Sequence, residues 1–393
     1  MYNVRLLHVL AVLRGLRFGL AVYVLYSLRL TDYAGIGLVE TVSIATAIAM
    51  EIPTGIAADR WGRKRCLVGS FLLEVTGYLL LAAAGGLGAL VGALFVIQIG
   101  RALHSGTFEA MLWESLDEDD RSRSYVRVLG RANALGLIAF AAACLTGGFL
   151  YGVDPRLPYL AAAVAFTVAA GAALFLREPP RATTLGTNRP AAALALLARE
   201  WRLTLPLLLV GVFLVVSEEL LDEVLVVEFG FPSQALGALF AAAYLGAALA
   251  AHACHRFERW LGRRTLLFGM AVASAITLAA SPILGLLGGG LTFLLRHALR
   301  AAHDTVVAGR LVAAADPSMR ATVLSTYNAV RSLPYVALAW PLGAAMDQAT
   351  ARGFALWFGL AMAAVAVLAW RISFAPRAVA APAAASSAGA GRW

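Results

Sequence analysis

Ionisable side chains interrupt stretches that are otherwise apolar, and they do so in clusters. Arg14 and Arg17 lie in the first such stretch, and Arg101, His104 and Glu109 in the fourth. Glu218, Glu219, Asp222 and Glu223 fall in the seventh, and Arg296, His297, Arg300, His303 and Asp304 in the tenth. Three kinds of chemistry fit these types. An arginine can grip a carboxylate or phosphate through its planar fork. A histidine or a buried carboxyl can take up and release a proton. A neighbouring His–Asp or His–Ser pair could begin a catalytic constellation, and His303-Asp304 and His104-Ser105 are the local candidates. Neither has a recognisable third member, so the chain is not expected to be an enzyme. Arg300 and Asp304 are four residues apart and Arg296 lies one turn earlier, so the three share a helical face. Such a ladder would serve equally as an internal ion pair. Cys66, Cys144 and Cys254 lack CxxC spacing, which argues against a zinc site or a disulfide framework. No GxxxxGK[ST] loop occurs, so neither a Walker-type nucleotide site nor any other cofactor is expected.

The elements that carry these residues follow from composition. Of 393 residues, 61% are hydrophobic and 14% are charged, where a soluble domain carries about 25% charged residues. The mean hydropathy is +0.78. A water-soluble exterior cannot be built from so little polar surface, which excludes a cytosolic enzyme, a nucleic-acid binder and a disordered chain. An integral membrane protein remains. Barrel strands alternate apolar and polar residues, and residues 203–216 and 355–369 do not. The spans are therefore helices of about 20 residues. Twelve are placed, at 6–28, 36–58, 66–84, 88–113, 129–150, 158–176, 203–227, 235–254, 265–283, 286–310, 321–345 and 353–371. The break between spans 9 and 10, around 281–290, is the least marked.

Charge placement gives the orientation. If the N-terminus is cytoplasmic, the cytoplasmic connections and tails hold 22 of the 32 Lys and Arg residues, and the outer connections hold three. By the positive-inside rule both termini lie in the cytoplasm. The net charge of +9 is thus a topology signal, and no nucleic-acid partner is expected. The first span contains Arg14 and Arg17 and lacks a small-residue cleavage site, so it is not read as a signal peptide.

Residues 177–202 open with Arg177-Glu178-Pro179-Pro180 and read as a cytoplasmic linker; 191–202 would suit a short surface helix. Six spans lie on each side. This gives an N-terminal bundle at 1–176, a C-terminal bundle at 203–372, and a disordered tail at 373–393 rich in Ala, Ser, Gly and Pro. Two short repeats relate the halves. Asp59-Arg60-Trp61-Gly62-Arg63-Lys64-Arg65 follows span 2, and Glu258-Arg259-Trp260-Leu261-Gly262-Arg263-Arg264 follows span 8. Arg101-Ala102-Leu103-His104 in span 4 is matched by Arg300-Ala301-Ala302-His303 in span 10.

The run Gly55-Ile56-Ala57-Ala58-Asp59-Arg60-Trp61-Gly62-Arg63-Lys64-Arg65 closely resembles the loop 2–3 signature of the major facilitator superfamily. Glu51-Ile52-Pro53-Thr54, Ser105-Gly106-Thr107-Phe108-Glu109-Ala110, and Arg320-Ala321-Thr322-Val323-Leu324-Ser325 are similar to its bacterial drug-efflux-like members. The resemblance implies an all-α membrane fold of twelve helices in two pseudo-symmetric six-helix bundles. It also implies secondary active transport of a small amphipathic molecule by alternating access, as proton-coupled export from a monomer in the cytoplasmic membrane. Uptake of a small organic metabolite, coupled or facilitative, is the near alternative. A non-transporting receptor on the same fold is a different one. The partners implied are a small-molecule substrate, protons and the lipid bilayer.

In this family spans 1, 4, 7 and 10 line the central cavity. By that resemblance Arg14, Arg17, Arg101, His104, Glu109, Glu218, Arg296, Arg300, His303 and Asp304 are expected at the substrate or coupling site. Glu109, Asp304, His104 and His303 are the proton-carrying candidates. Glu51 and Glu74 are assigned to packing or interdomain roles, with Arg331 as a partner for one of them. Gly55, Asp59, Arg60, Gly62, Arg63 and Lys64 form the expected conformational latch. The two glycines allow close approach and positive φ. Asp59 would meet the cytoplasmic N-terminus of span 11 when the protein faces outward, a contact worth roughly 0.3–2 kcal/mol. One family feature is missing: export members usually carry a Gly-Pro motif in span 5, and here Leu145-Thr146-Gly147-Gly148-Phe149-Leu150-Tyr151-Gly152 has no Pro.

Replacing Asp59 with Asn should leave expression and membrane localisation intact while impairing transport. Rates equal to wild type in that variant would exclude the latch.

Overall fold

The computed structural model describes residues 2–116, 121–178, 190–315 and 319–374, and among them it is helical with no strand. Among the described residues twelve main helical segments follow in order. They are α1 (Tyr2–Ser27), α2 (Tyr33–Trp61), α3 (Arg63–Ala82), α4 (Leu87–Glu114), α5 (Arg121–Val153) and α6 (Leu157–Ala173). After a short amphipathic helix, Pro190–Arg199, come α7 (Thr204–Glu228), α8 (Ser233–Leu261), α9 (Arg263–Ala280), α10 (Gly285–Ala314), α11 (Arg320–Gln348) and α12 (Ala351–Phe374). Segments of α1–α5, α7, α8 and α12 are long and apolar enough to cross a membrane; α6 and most of α9 are apolar but shorter. The α9–α10 connection falls at 281–284, inside the broader break expected from sequence.

Three helices depart from regular geometry where a continuous span is expected. Helix α1 stops at Gly15, passes through a 3-10 turn at Leu20–Val22 and resumes at Tyr23. Helix α4 breaks after His104, with Gly106 at φ +70°. Helix α7 widens into a π turn over Ser217–Asp222. Backbone groups freed at such breaks are tolerated at membrane depth only where protein or a water-filled cavity can satisfy them. Each break lies beside charged residues: Arg17, Arg101 with His104, and the acids of α7.

Apolar packing organises the rest. One core gathers Leu7, Phe71, Ile97, Met111 and Phe166, all from α1–α6. A second gathers Leu207, Leu267, Val307, Tyr327 and Met362 from α7–α12. A third joins Ile36 of α2 to Leu221, Tyr335 and Ala339 of α7 and α11. Helix α2 packs along α11, and α5 along α8. Both seams depend on absent side chains. A Cβ on Gly343 would strike the Tyr33 carbonyl, and one on Gly37 the Ala339 carbonyl. On the other seam, a Cβ on Gly148 would strike the Ser233 carbonyl, and one on Gly237 the Cys144 carbonyl. The span-5 glycines therefore act as helix contact points.

Gly148→Val should force α5 away from α8 and cost about 1–3 kcal/mol, as overpacking does. Thermal unfolding of the detergent-solubilised protein, read against wild type, checks this.

Candidate functional site

The loop between α2 and α3 turns at Gly62, whose φ of +94° is in the left-handed region. Gly262, between α8 and α9, turns the same way at φ +72°. At Gly62 a Cβ would also sit 2.8 Å from Glu178 Oε1. Glu178 explains the crowding. Its Oε1 accepts from the Arg63 N–H at 2.6 Å and its Oε2 from the Lys64 N–H at 2.9 Å, so it caps the start of α3. Arg177 beside it is held by Asn3, which accepts from the Arg177 N–H at 3.0 Å and donates to its carbonyl at 2.9 Å. Asp59 is half exposed and pairs with Arg63 at 2.9 Å; Arg63 also reaches Glu114 at 3.4 Å. In this state Asp59 pairs within its own loop. Gly55 has nothing within 4 Å of a Cβ position, so the close approach expected there is not made. Arg60 is exposed.

From this end of the molecule a cavity of about 920 Å³ runs inward between α2, α4 and α11, lined among others by Glu51, Asp59, Arg101, Ser105, Ser325 and Ser332. Ser325 donates to Glu51 Oε1 across it at 2.6 Å. Beyond Gln98 and Arg101, which line both parts, lies a smaller chamber of about 130 Å³. Its charged lining is Arg17, Glu40, Arg101, Glu219 and Glu223, accompanied by Tyr23, Tyr78 and Tyr159. A side chamber of about 290 Å³ takes Arg14, Arg17, His104 and Glu109, with Tyr244 of α8 opposite.

The far end is closed by α2 against α11. Asp347 Oδ1 accepts from the Tyr33 N–H at 3.0 Å, and Oδ2 from the Ala34 N–H at 2.9 Å. Asp32 caps the same helix through the Gly35 N–H at 2.8 Å. About two turns deeper, Thr41 donates to the Val336 carbonyl at 3.1 Å. The first-turn amides of a helix need acceptors, and α2 takes its own from Asp32 and two more from the opposite half of the molecule.

The charged residues of α10 are largely used up in pairing. Arg296 Nε lies 2.6 Å from Asp222 Oδ1, both side chains are 2% exposed, and Arg296 also donates to the Thr277 carbonyl at 3.2 Å. The expectation that Arg296 faces the cavity is thereby corrected: it is enclosed between α7, α9 and α10. Arg300 makes a close ion pair with Glu218 and lies 3.6 Å from Glu219 and 3.7 Å from Asp304. Arg331 of α11 holds Asp304 with both guanidinium nitrogens, at 2.9 and 3.3 Å. It does not meet Glu51 or Glu74, the partners expected for it. His303 Nδ1 lies 3.5 Å from Asp304, and His297 Nε2 lies 3.9 Å from Glu218. His104 is 3% exposed, stacked on Phe108 and edge-on to Phe71, which is core packing.

Sequence reasoning passed over Glu40, Tyr23 and Tyr78, although the rule applied to α7 and α10 covers Glu40 too. Glu74 was expected in a packing or interdomain role. Glu74 is indeed fully buried in α3, and neither carboxyl oxygen has a hydrogen-bond partner. The charges bearing on it are Arg14, Arg101 and Arg17.

Known proteins share this architecture. The family model described as Major Facilitator Superfamily matches residues 7–339. An uncharacterized MFS-type transporter of Bacillus subtilis (strain 168), YxaM, is 26% identical over 152 residues, 38% of this chain and 37% of that protein. The match thus spans little more than a third of that relative. Among solved structures, the nucleoside transporter NupG superposes with a TM-score of 0.78 at 14% identity, covering 95% of this chain and 99% of that one. A bacterial homolog of the human lysosomal transporter Spinster, in an inward-facing and unoccupied conformation, gives 0.72 at 16% identity, over 95% and 96%.

Asp347→Asn should weaken the α2–α11 closure by about 1–3 kcal/mol, the worth of hydrogen bonds to a charged group. With spin labels at Arg29 and Gln348, the separated population should grow about fivefold or more. An unchanged distance distribution would remove Asp347 from the closure.

Proposed function

This chain belongs to the major facilitator superfamily, and we propose that it is a secondary active transporter moving a small amphipathic molecule across the cytoplasmic membrane by alternating access. The observation that carries the reading is the cavity, walled by both halves, reaching one end of the bundle and closed at the other by Asp347. Taking the termini as cytoplasmic, this is the inward-open state. Turnover then exchanges one closure for another. Residues 1–176 and 203–372 rock about the chamber, the Asp347 contact to α2 is released, and Asp59 leaves Arg63 for the N-terminus of α11.

Coupling to protons is placed at Glu74. An unpaired carboxylate in an apolar core costs several kcal/mol, and a carboxylic acid costs much less. A rearrangement that turns Glu74 toward Arg14 and Arg101 would reverse that preference, so the proton would be released as the cavity changes sides. Asp304, by contrast, is held by Arg331 and serves better as a fixed charge. Export is the direction the motifs of α2, α4 and α11 favour. The lack of a Pro beside Gly147 and Gly148 in α5 favours uptake as the second reading.

Proteoliposomes with an imposed pH gradient test both statements. Wild-type protein should accumulate substrate against its gradient. Glu74→Gln should still exchange substrate at equilibrium while accumulation falls by about tenfold. Gradient-driven accumulation that survives the substitution would move the coupling site elsewhere.

A further inference from the structure

Resting on the transport reading, the charge distribution in the chamber narrows the substrate class. Most membrane-depth charges of α7, α10 and α11 are spent on one another: Arg296 on Asp222, Arg300 on Glu218, and Arg331 on Asp304. Four that are not spent line the same chamber. Arg101 makes no ion pair among the described residues; its guanidinium lies 3.4 Å from the neutral Gln98, with Tyr78 and the carboxyl of Glu74 also near it. Arg17 lies over the Phe140 ring at 4.9 Å. The Nε of each is buried and has no hydrogen-bond partner. Glu40 and Glu223 make no ion pair among the described residues, whereas Glu219 leans toward Arg300.

The two signs are also ordered in depth. Arg101 lines both the wide cavity and the chamber, and Arg17 lines both the side chamber and the chamber, so the cations stand at the mouth. Glu40 and Glu223 line the chamber alone, at its inner end, together with Tyr23 and Tyr159. The chamber's apolar lining comes from Leu20, Ile44, Leu94 and Ile97. Two arginines and two carboxylates that make no ion pair among the described residues, lining one chamber, are complementary to a molecule carrying both charges.

We propose that the substrate is a zwitterion with an apolar body, bound with its ammonium inward between Glu40 and Glu223 and its carboxylate at the mouth on Arg17 and Arg101. A purely cationic amphiphile would leave the arginines unmatched, and an anionic one the carboxylates. Unpaired charge in a dry site is the more costly error.

Matched trios test this on the full-length protein in nanodiscs: leucine, phenylalanine and alanyl-phenylalanine, each as the zwitterion, the C-terminal amide and the N-acetyl acid. At least one zwitterion should raise the melting temperature and bind about tenfold or more tightly than its amide and its N-acetyl partner, the size of a lost charge-assisted hydrogen bond. Arg101→Gln should erase the preference for acid over amide and keep the preference for free amine. Glu223→Gln should do the reverse, and Glu40→Gln serves as a second acid variant should that one misfold. Amide or N-acetyl forms binding as well as every zwitterion would overturn the proposal, as would variants that weaken all three forms equally. Amide or N-acetyl forms carried across proteoliposomes as readily as zwitterions would overturn the substrate class and leave transport standing. A zwitterion that binds with this selectivity but is never moved would instead strike the transport reading.

Discussion

A charge placed at the depth of the bilayer core must find either an opposite charge or water. The molecule answers that constraint in two ways. Across α7, α10 and α11 it matches arginine to carboxylate, and the matched groups become enclosed or nearly so. Around the chamber it leaves arginines and carboxylates unmatched and supplies a cavity for them. The same need governs the backbone. The interruptions in α1, α4 and α7 all lie beside those side chains, where freed amides and carbonyls can be satisfied.

Closure rests on the antiparallel pair α2 and α11. The C-terminal end of each helix carries an aspartate, Asp59 on α2 and Asp347 on α11. In the state described here Asp347 sits on the first amides of α2, and Asp59 is turned aside onto Arg63. Glycines at 37 and 343 bring the backbones into contact at the closed end, while at the other end the same two helices wall a cavity. One helix pair thus provides a joint at one end and a gap at the other. A rigid tilt would interchange them without repacking either bundle.

Much of this was legible in the residues. Apolar runs separated by charge and Pro gave most helix bounds to within about four residues, because the bilayer leaves helices few other options; α5 starts at Arg121 where 129 was expected, and α8 runs on to Leu261 where 254 was expected. Gly62 was marked by its motif. Its steric reason, the carboxylate of Glu178, was not, since the two are more than a hundred positions apart. The α10 ladder was visible as spacing, but Glu218, Asp222 and Arg331 lie on other helices, and no periodicity within one helix reveals a partner on another. Asp347 carried no assignment, since the amides it holds lie more than three hundred positions away. Glu40 was hidden for a different reason: span 2 carries only Glu40 and Glu51, eleven residues apart, without the clustering that marks α7 and α10.

The π turn in α7 sets the phase of that helix. Its acids come as two pairs, each spaced by four: Glu218 with Asp222 faces α10, and Glu219 with Glu223 faces the chamber. Successive residues of an α-helix differ by about 100° in direction. Removing one residue from the turn would rotate one side of α7 against the other by about that angle. The acids that look into the chamber would then turn toward α10, and those that neutralise its arginines would turn away from both. The division between structural and ligand-facing charge in this half is therefore held by the length of a single turn, and insertions or deletions there should be tolerated far less than the substitution of any one apolar neighbour.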